Sequence, residues 1–345
     1  MFLLDQFPQE WDLADSPEYR RKQVAEWVFA KRVTSFDHMS NLPESLREGL
    51  KSRYQLQTLE LSQRQGSHDT TQKFLWKLPK GDYVESVLIP ANVDLFGDRA
   101  ARTTLCISTQ VGCAYGCKFC ASGMDGWKRN LSPAEIVGQI IEAERLASKR
   151  IQNLVFMGMG EPLANYENLM RGIEIINSPW GLNIGARHIT VSTSGLVPQI
   201  RLLAAQPRQI RLAISLHGAT DEVRGKIMPV NRKYPLEDLL GACDEYVRVK
   251  GKMITFEFIL IRGINDSLDQ ARALAKLARR LHAKVNLIPY NKVEGLEWER
   301  PEEEVVADFS KQLKRSDVTS TVRHEKGHDI DAACGQLRLK KIMEQ

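Results

Sequence analysis

From Thr103 onward the chain repeats one rhythm six times: a short apolar run, a loop, then a stretch with helical spacing of its apolar residues. The apolar runs fall at residues 104–108, 153–157, 188–192, 210–216, 253–261 and 284–288. Strands that alternate with helices pair in parallel, because each helix carries the chain back to the starting end of the sheet. The rhythm therefore predicts an α/β fold, a partial barrel of six strand–helix units. Its first helix opens at Ser132-Pro-Ala-Glu135, a capping box with proline at the first helical position, and continues through Ile136, Ile140 and Ile141. Later helices are expected at 236–249 and 268–281.

The unusual residues gather at one end of these units. A cysteine cluster follows the first strand, Gly158-Met-Gly-Glu-Pro162 the second, and Ser192-Thr-Ser-Gly195 closes the third. Ser215-Leu-His217 ends the fourth and Pro289-Tyr-Asn291 the sixth. All lie at the C-terminal ends of their strands, the active face of an α/β barrel.

Four of the six cysteines lie between Cys106 and Asn130, and three of these, Cys113, Cys117 and Cys120, follow a C-x3-C-x2-C spacing. Three thiolates can converge on one soft metal centre and leave one coordination position open, whereas a closed structural zinc site takes four protein ligands. The N-terminus has no basic segment leading into an apolar run, and no apolar stretch reaches membrane-spanning length. A cytoplasmic compartment is therefore expected, where clustered cysteines are metal ligands or redox groups in preference to disulfides.

Upstream, residues 16–54 read as a helical module with Val24, Trp27 and Val28 on its apolar face and a break at Pro43. Arg20, Arg21, Lys22, Lys31, Arg32, Arg47, Lys51 and Arg53 lie on its polar faces, open to solvent or to phosphates. Residues 59–90 alternate as antiparallel hairpin strands around Pro79-Lys-Gly-Asp82. The expected divisions are a helical module at 1–56, a hairpin extension at 57–100 and the barrel at 101–345. Alternation alone puts Glu85 on a solvated outer face. Cys243, within a helix, reads as a buried structural cysteine. Cys334, between Gly327 and Gly335, is open to a mobile, reactive role.

In combination these residues resemble the radical S-adenosylmethionine (SAM) enzymes, and among them the RlmN family, which methylates C2 of adenosine in large-subunit rRNA and tRNA. The likeness runs from Arg21-Lys-Gln-Val-Ala-Glu-Trp27 to Ala333-Cys-Gly-Gln-Leu337. It implies that Cys113, Cys117 and Cys120 hold three irons of a [4Fe-4S] cluster, with the fourth iron taking the amino and carboxylate groups of SAM. Gly160, Glu161, Ser192, Ser215, Leu216, His217 and Asn291 match SAM-contacting positions. Cys334 matches a methyl-carrying cysteine, Cys106 a resolving cysteine and Glu85 a proton acceptor, which reverses the solvated assignment.

The implied chemistry uses two SAM molecules per turnover. One methylates Cys334; the second yields a 5′-deoxyadenosyl radical that takes hydrogen from the S-methyl group, and the carbon radical adds to the electron-poor C2. Glu85 then removes the C2 proton, and Cys106 attacks the Cys334 sulfur to release product and leave a disulfide that external reductant resets. The implied partners are the two RNAs and an electron donor such as flavodoxin or ferredoxin. No membrane is involved, and the enzyme is expected to be monomeric. Lys128, Arg129, Arg232 and Lys233 are candidate phosphate contacts. The link Ala114-Tyr-Gly116 and Lys118-Phe119 also resemble the Cfr-type enzymes that methylate C8, while Glu161-Pro162 is closer to the C2 group. From another class comes a non-catalytic RNA-binding module in which Cys106 completes a four-thiolate zinc site.

Overall fold

The computed structural model describes residues 1–14, 16–90, 103–124, 126–323, 326–333 and 335–337. Helices α1 (Tyr19–Ala25) and α2 (Glu44–Arg53) form the N-terminal part, with a π-helical turn over Glu26–Ala30 extending α1. Strands β1 (Glu60–Gly66), β2 (Gln72–Lys77) and β3 (Tyr83–Ile89) follow as an antiparallel ribbon. The order thereafter is β4 (Thr104–Cys106), β5 (Gln110–Gly112), β6 (Trp127–Asn130), α3 (Pro133–Ala147), β7 (Asn153–Phe156), α4 (Tyr166–Asn177) and β8 (Ile189–Thr193). Then come α5 (Val197–Ala205), β9 (Arg211–Ser215), α6 (Asp221–Ile227), α7 (Leu236–Lys250), β10 (Thr255–Leu260), α8 (Leu268–Arg280), β11 (Lys284–Pro289), α9 (Glu303–Arg315) and β12 (Ser320–Val322).

One sheet runs in the order β1-β2-β3-β4-β7-β8-β9-β10-β11-β12, with β1 and β12 at its edges. All pairings from β4 to β12 are parallel, so the partial barrel expected from the sequence is present. The strands are buried on both faces, as in β10, where Phe256, Phe258 and Leu260 on one face and Glu257 and Ile259 on the other are all buried, and Phe258 meets Phe309 of α9 at 5.6 Å between ring centroids. A seventh parallel strand, β12, and the small β5–β6 hairpin were not expected. Both are short, and Ser320-Thr-Val322 lacks the apolar run by which the other strands were recognised.

The antiparallel ribbon is continuous with the barrel sheet, since β3 pairs with β4 with Val87 opposite Cys106. This overturns the solvated assignment of Glu85, which is 3% exposed. Alternation identifies an outer face only where one face is bare, and here both are covered. Ser86 on one side contacts α3, and Lys73 and the segment 326–333 lie on the other.

The start of the chain also docks on the barrel. Asp5 accepts a hydrogen bond from the Ala134 amide (2.9 Å) at the N-terminus of α3, where the Ser132/Glu135 capping box satisfies two further donors. Phe7 and Phe29 pack on Trp180. Several of the basic residues assigned to a polar face are engaged internally. Arg32 forms a buried ion pair with Glu144, Arg21 donates to the Pro8 and Trp11 carbonyls, and Arg53 pairs with Asp12.

A buried polar cluster joins ribbon, sheet and helix. Trp76 Nε1 donates to Ser86 Oγ (2.8 Å), which donates to Gln139 Oε1 of α3 (2.9 Å). Gln139 also accepts from the Ser108 amide and donates to its carbonyl (2.9 and 3.0 Å). Replacing Gln139 by Leu would orphan Ser86 and both backbone groups of Ser108. The expected loss is roughly 2–4 kcal/mol of stability, read as a lower urea midpoint with an unchanged slope.

Candidate active site

Four of the five strand-end motifs line one cavity that is open to solvent. Cys113, Cys117, Cys120, Tyr115 and Phe119 form one wall; Gly158, Gly160, Glu161 and Pro162 follow from β7, Ser192 from β8 and Ser215 and His217 from β9. The parallel register produces this convergence by bringing every strand to the same rim.

The cysteine loop is held from several sides. The Cys113 amide donates to the Gly126 carbonyl (2.9 Å), the Lys118 amide to Ile227 (2.9 Å), and Trp298 Nε1 to the Lys118 carbonyl (2.8 Å). Phe119 meets the His217 ring edge-on at 4.8 Å. Burial pushes the Cys113 thiol up to about 12, and the neighbouring Cys120 adds to this. Burial likewise raises Cys117, reinforced by the other two thiols. Bound cationic iron would offset both effects, because it stabilises the thiolate form.

The glycine turn after β7 must be glycine. Gly160 has φ +97°, and a Cβ there would stand 2.5 Å from Gln110 Cβ; at Gly158 it would meet the Ile107 backbone at 2.7 Å. The turn thereby seats Glu161, whose amide donates to Gln110 Oε1 (2.8 Å). The Glu161 carboxylate accepts from the Ser194 and Leu163 amides (2.7 and 3.0 Å). Burial raises its pKa, against the pull of these backbone donors. Ser192 and Ser215 stand 3.4 Å apart through their hydroxyls. His217 has φ +56° and accepts at Nδ1 from the Ile259 amide (3.0 Å). It is thus a satisfied histidine that also faces the cavity.

Other expected residues are placed differently. Leu216 and Asn291 are buried at strand ends and do not line the cavity. Glu85 and Cys106, on β3 and β4, do not line it, although the register sets both on the face of the sheet that carries Ser192 and Ser215. Cys106 is therefore not positioned as a fourth thiolate beside the triplet, and among the described residues no three Cys, His, Asp or Glu side chains form a cage for a single ion. Cys334 lies outside the described residues. Its neighbour Gly335 lines the cavity and accepts from the Ala121 amide (2.8 Å). Arg129 is committed to Asp82 and Glu135, while Lys128, Arg232 and Lys233 are exposed. Cys243 is fully buried in α7, as expected.

Two residues of the site escaped the sequence, one lining the cavity and one supporting it. Glu257, in the apolar run of β10, faces the cavity with Oε1 accepting from Asn286 (2.9 Å) and Oε2 3.9 Å from Arg323 Nη1. Arg224 lies behind the cavity, fully buried. It donates to the Leu216 and Ser194 carbonyls and to Asn231 Oδ1, tying the ends of β8 and β9 together.

Comparison with known proteins agrees with this architecture. The radical SAM superfamily model matches residues 107–275, and the ribosomal RNA large subunit methyltransferase N-terminal domain matches residues 6–56. A probable dual-specificity RNA methyltransferase RlmN of Akkermansia muciniphila is 57% identical over 95% of this chain and 91% of its own. One of Geobacillus kaustophilus is 44% identical over 98% and 91%. The chain belongs to the RlmN family of radical SAM proteins. The crystal structure of a radical SAM methyltransferase from Sphaerobacter thermophilus superposes with a TM-score of 0.92 at 42% identity, covering 98% of this chain and 99% of that one.

A [4Fe-4S] cluster and SAM are the cofactors of an RlmN-family radical SAM protein. The residues present fit them: three thiols spread around one cavity suit a cluster with ligands on separate irons, and the wall opposite offers glycine backbone, hydroxyls and a buried carboxylate.

The buried His217 gives the fold a defined acid sensitivity. Burial, with Arg224 adding to it, pushes His217 down to about 3 from the ordinary 6.5. The unfolded chain therefore binds a proton here that the folded chain refuses, and stability falls as pH drops from 6.5 towards 3. The melting temperature of His217→Asn, which retains a residue tolerant of positive φ, is expected to fall less between pH 7 and pH 5 than that of the native protein. Equal slopes would assign the acid loss to other groups.

Proposed function

We propose that the chain is a radical SAM RNA methyltransferase that adds a methyl group to C2 of adenosine in large-subunit rRNA and tRNA through an S-methylcysteine on Cys334. The observation that carries this is the shared cavity: the triplet thiols, the Gly158–Glu161 turn, Ser192, Ser215 and Gly335, next to Cys334, all face it. In this proposal Cys113, Cys117 and Cys120 hold the cluster. When bound, the cluster and SAM together supply the radical chemistry that an electron-poor C2 requires.

The protein's own groups then divide the work. Glu161 and the Gly160 backbone receive the amino end of SAM, Ser192, Ser215 and His217 line the rest of its seat, and the buried Leu216 and Asn291 support it from the strand ends. Cys334 acts as nucleophile towards the methyl group. Cys106 and Glu85 act later, as resolving cysteine and proton acceptor. Their placement supports this. Val87 stands opposite Cys106 and Leu75 opposite Glu85, so Lys73, Leu75, Glu85, Val87 and Cys106 share one face of the β2–β3–β4 sheet. The segment leading to Cys334 contacts that face through Asp331.

The target adenosine must enter a cavity walled by strand ends, which favours an unpaired or extruded base. Lys128, Arg232 and Lys233 remain available to phosphates. Among the described residues no helix is long and apolar enough to cross a membrane. We further propose a monomeric cytoplasmic enzyme reduced by a flavodoxin or ferredoxin, with functional divisions at residues 1–56, 57–100 and 101–345; residues 91–102 lie outside the described part.

Mass spectrometry of nucleosides from RNA treated with the reconstituted enzyme is expected to yield 2-methyladenosine. The 8-methyl isomer would transfer the chain to Cfr-type chemistry, and RNA binding without any methylated nucleoside would favour a binding module. Cys334→Ala should abolish product while the brown cluster is retained, and Cys106→Ala should leave a protein–RNA adduct.

A further inference from the structure

Lys73 of β2 is 7% exposed, a burial that a lysine tolerates only with partners for its charge. It has two. Its Nζ stands 3.2 Å from Glu85 Oε1 and donates to the Asp331 carbonyl at 3.4 Å. Glu85 is the group proposed above as proton acceptor, and Asp331 lies three residues before Cys334, a reach of at most ~10 Å along the chain. One ammonium thus joins the base to the segment that carries the methyl-bearing cysteine.

The surrounding contacts show that this junction is built. In the antiparallel register Lys73 faces Val87, which places it diagonally beside Glu85 on the same face, and Val87 in turn faces Cys106. The segment 326–333 is fastened to the same end of the ribbon. The Gly327 amide donates to Asp69 Oδ2 (2.9 Å), Lys326 Nζ donates to the Pro90 carbonyl (2.9 Å), and Ser67 donates to Asp329. Those contacts hold the segment to the ribbon, and Lys73 links it to Glu85.

We infer that Lys73 is a positioning residue for the methyl-transfer reaction, holding Glu85 ionised and oriented while fixing residues 326–333, which lead to Cys334 in the sequence, at the same face of the sheet. The inference rests on the proposed role of Glu85. A buried carboxylate without a counter-charge takes up a proton and can no longer accept one; the adjacent ammonium opposes this. In the step concerned, the C2 proton of the RNA-linked intermediate passes to a Glu85 oxygen, the C–H electron pair stays with the purine ring, and Glu85 becomes a neutral acid. Lys73 keeps the Asp331 carbonyl as acceptor once that charge has gone. Cys106 can then attack on a face that has not rearranged.

The test uses anaerobically reconstituted holoenzyme with RNA. Three quantities are followed: methylation of Cys334 by intact mass, covalent protein–RNA adduct on a denaturing gel, and 2-methyladenosine. Lys73→Met is expected to retain Cys334 methylation, accumulate adduct, and lose product by about tenfold or more, the scale of a general base. Lys73→Arg should recover most of the turnover. Glu85→Gln should accumulate adduct in the same way, and Lys73→Met/Glu85→Gln should be no slower than Glu85→Gln alone. Should Lys73→Met fold poorly, Lys73→Gln, which keeps a donor for Asp331, is expected to trap adduct as well. Native turnover by the Lys73 variants, or product loss without adduct while Glu85→Gln does trap it, would overturn the role of Lys73 alone. Absence of adduct in Glu85→Gln would overturn the proton-acceptor assignment beneath it.

Discussion

The parallel register from β4 through β12 is the constraint on which the site depends. Leu154 opposite Ile189, Ser192 opposite Ala213, Ser215 opposite Glu257 and Glu257 opposite Asn286 leave the strand ends at one rim. A one-residue slip in any pair would exchange the inward and outward sets of side chains. Ser215, Glu257, Asn286 and Thr321 form a single row across four neighbouring strands, and hydrogen bonds from Thr321 to Asn286 and from Asn286 to Glu257 link three of them. That row belongs to no loop motif; pairing alone assembles it.

Burying so many polar groups at a strand rim has a cost that the fold meets with fixed partners. Arg224, whose pKa burial lowers only to about 10, stays charged and satisfies carbonyls at the ends of β8 and β9. Ser108 serves at the end of β4: its hydroxyl donates to the Glu85 carbonyl (2.6 Å) and accepts from the Met159 amide (2.9 Å). The glycine turn and the strand bearing Glu85 are therefore anchored to the same side chain. The rigidity of the cavity wall comes from these short connections between loops, which fix each motif relative to its neighbour.

What the sequence made legible follows from how each feature is encoded. The six strands and the α3 cap are local patterns of apolar residues and a capping box, and they were recovered to within a few residues. The triplet cysteines and the glycine turn are motifs whose spacing carries the chemistry. Glu257, Arg224 and Lys73 were missed because a single charged residue in a strand or helix looks like any solvated one until tertiary pairing buries it. Glu85 shows the same limit: alternation places it outside, and tertiary contacts with Lys73 and the segment 326–333 cover it. Among the basic residues of the N-terminal module, Arg21 and Arg32 depart in the opposite sense, serving the packing of that module, whereas Lys22, Lys31, Lys51 and Arg53 are exposed as expected.

The joining of the antiparallel ribbon to β4 explains why two cysteines so close in sequence serve different ends. β4 is the first parallel strand, so the chain leaving it must enter the rim, and the triplet loop follows there. β4 is also the partner of β3, so a residue within it shares a face with Glu85 and Lys73. Cys106 lies in the strand and Cys113 beyond it, so Cys106 takes its place in the row with Val87 of the ribbon while Cys113 lines the cavity. Had the ribbon formed a separate sheet, the groups proposed for proton removal and resolution would have no structural link to the cluster loop. The continuity of the ten-stranded sheet supplies that link, through a single three-residue strand.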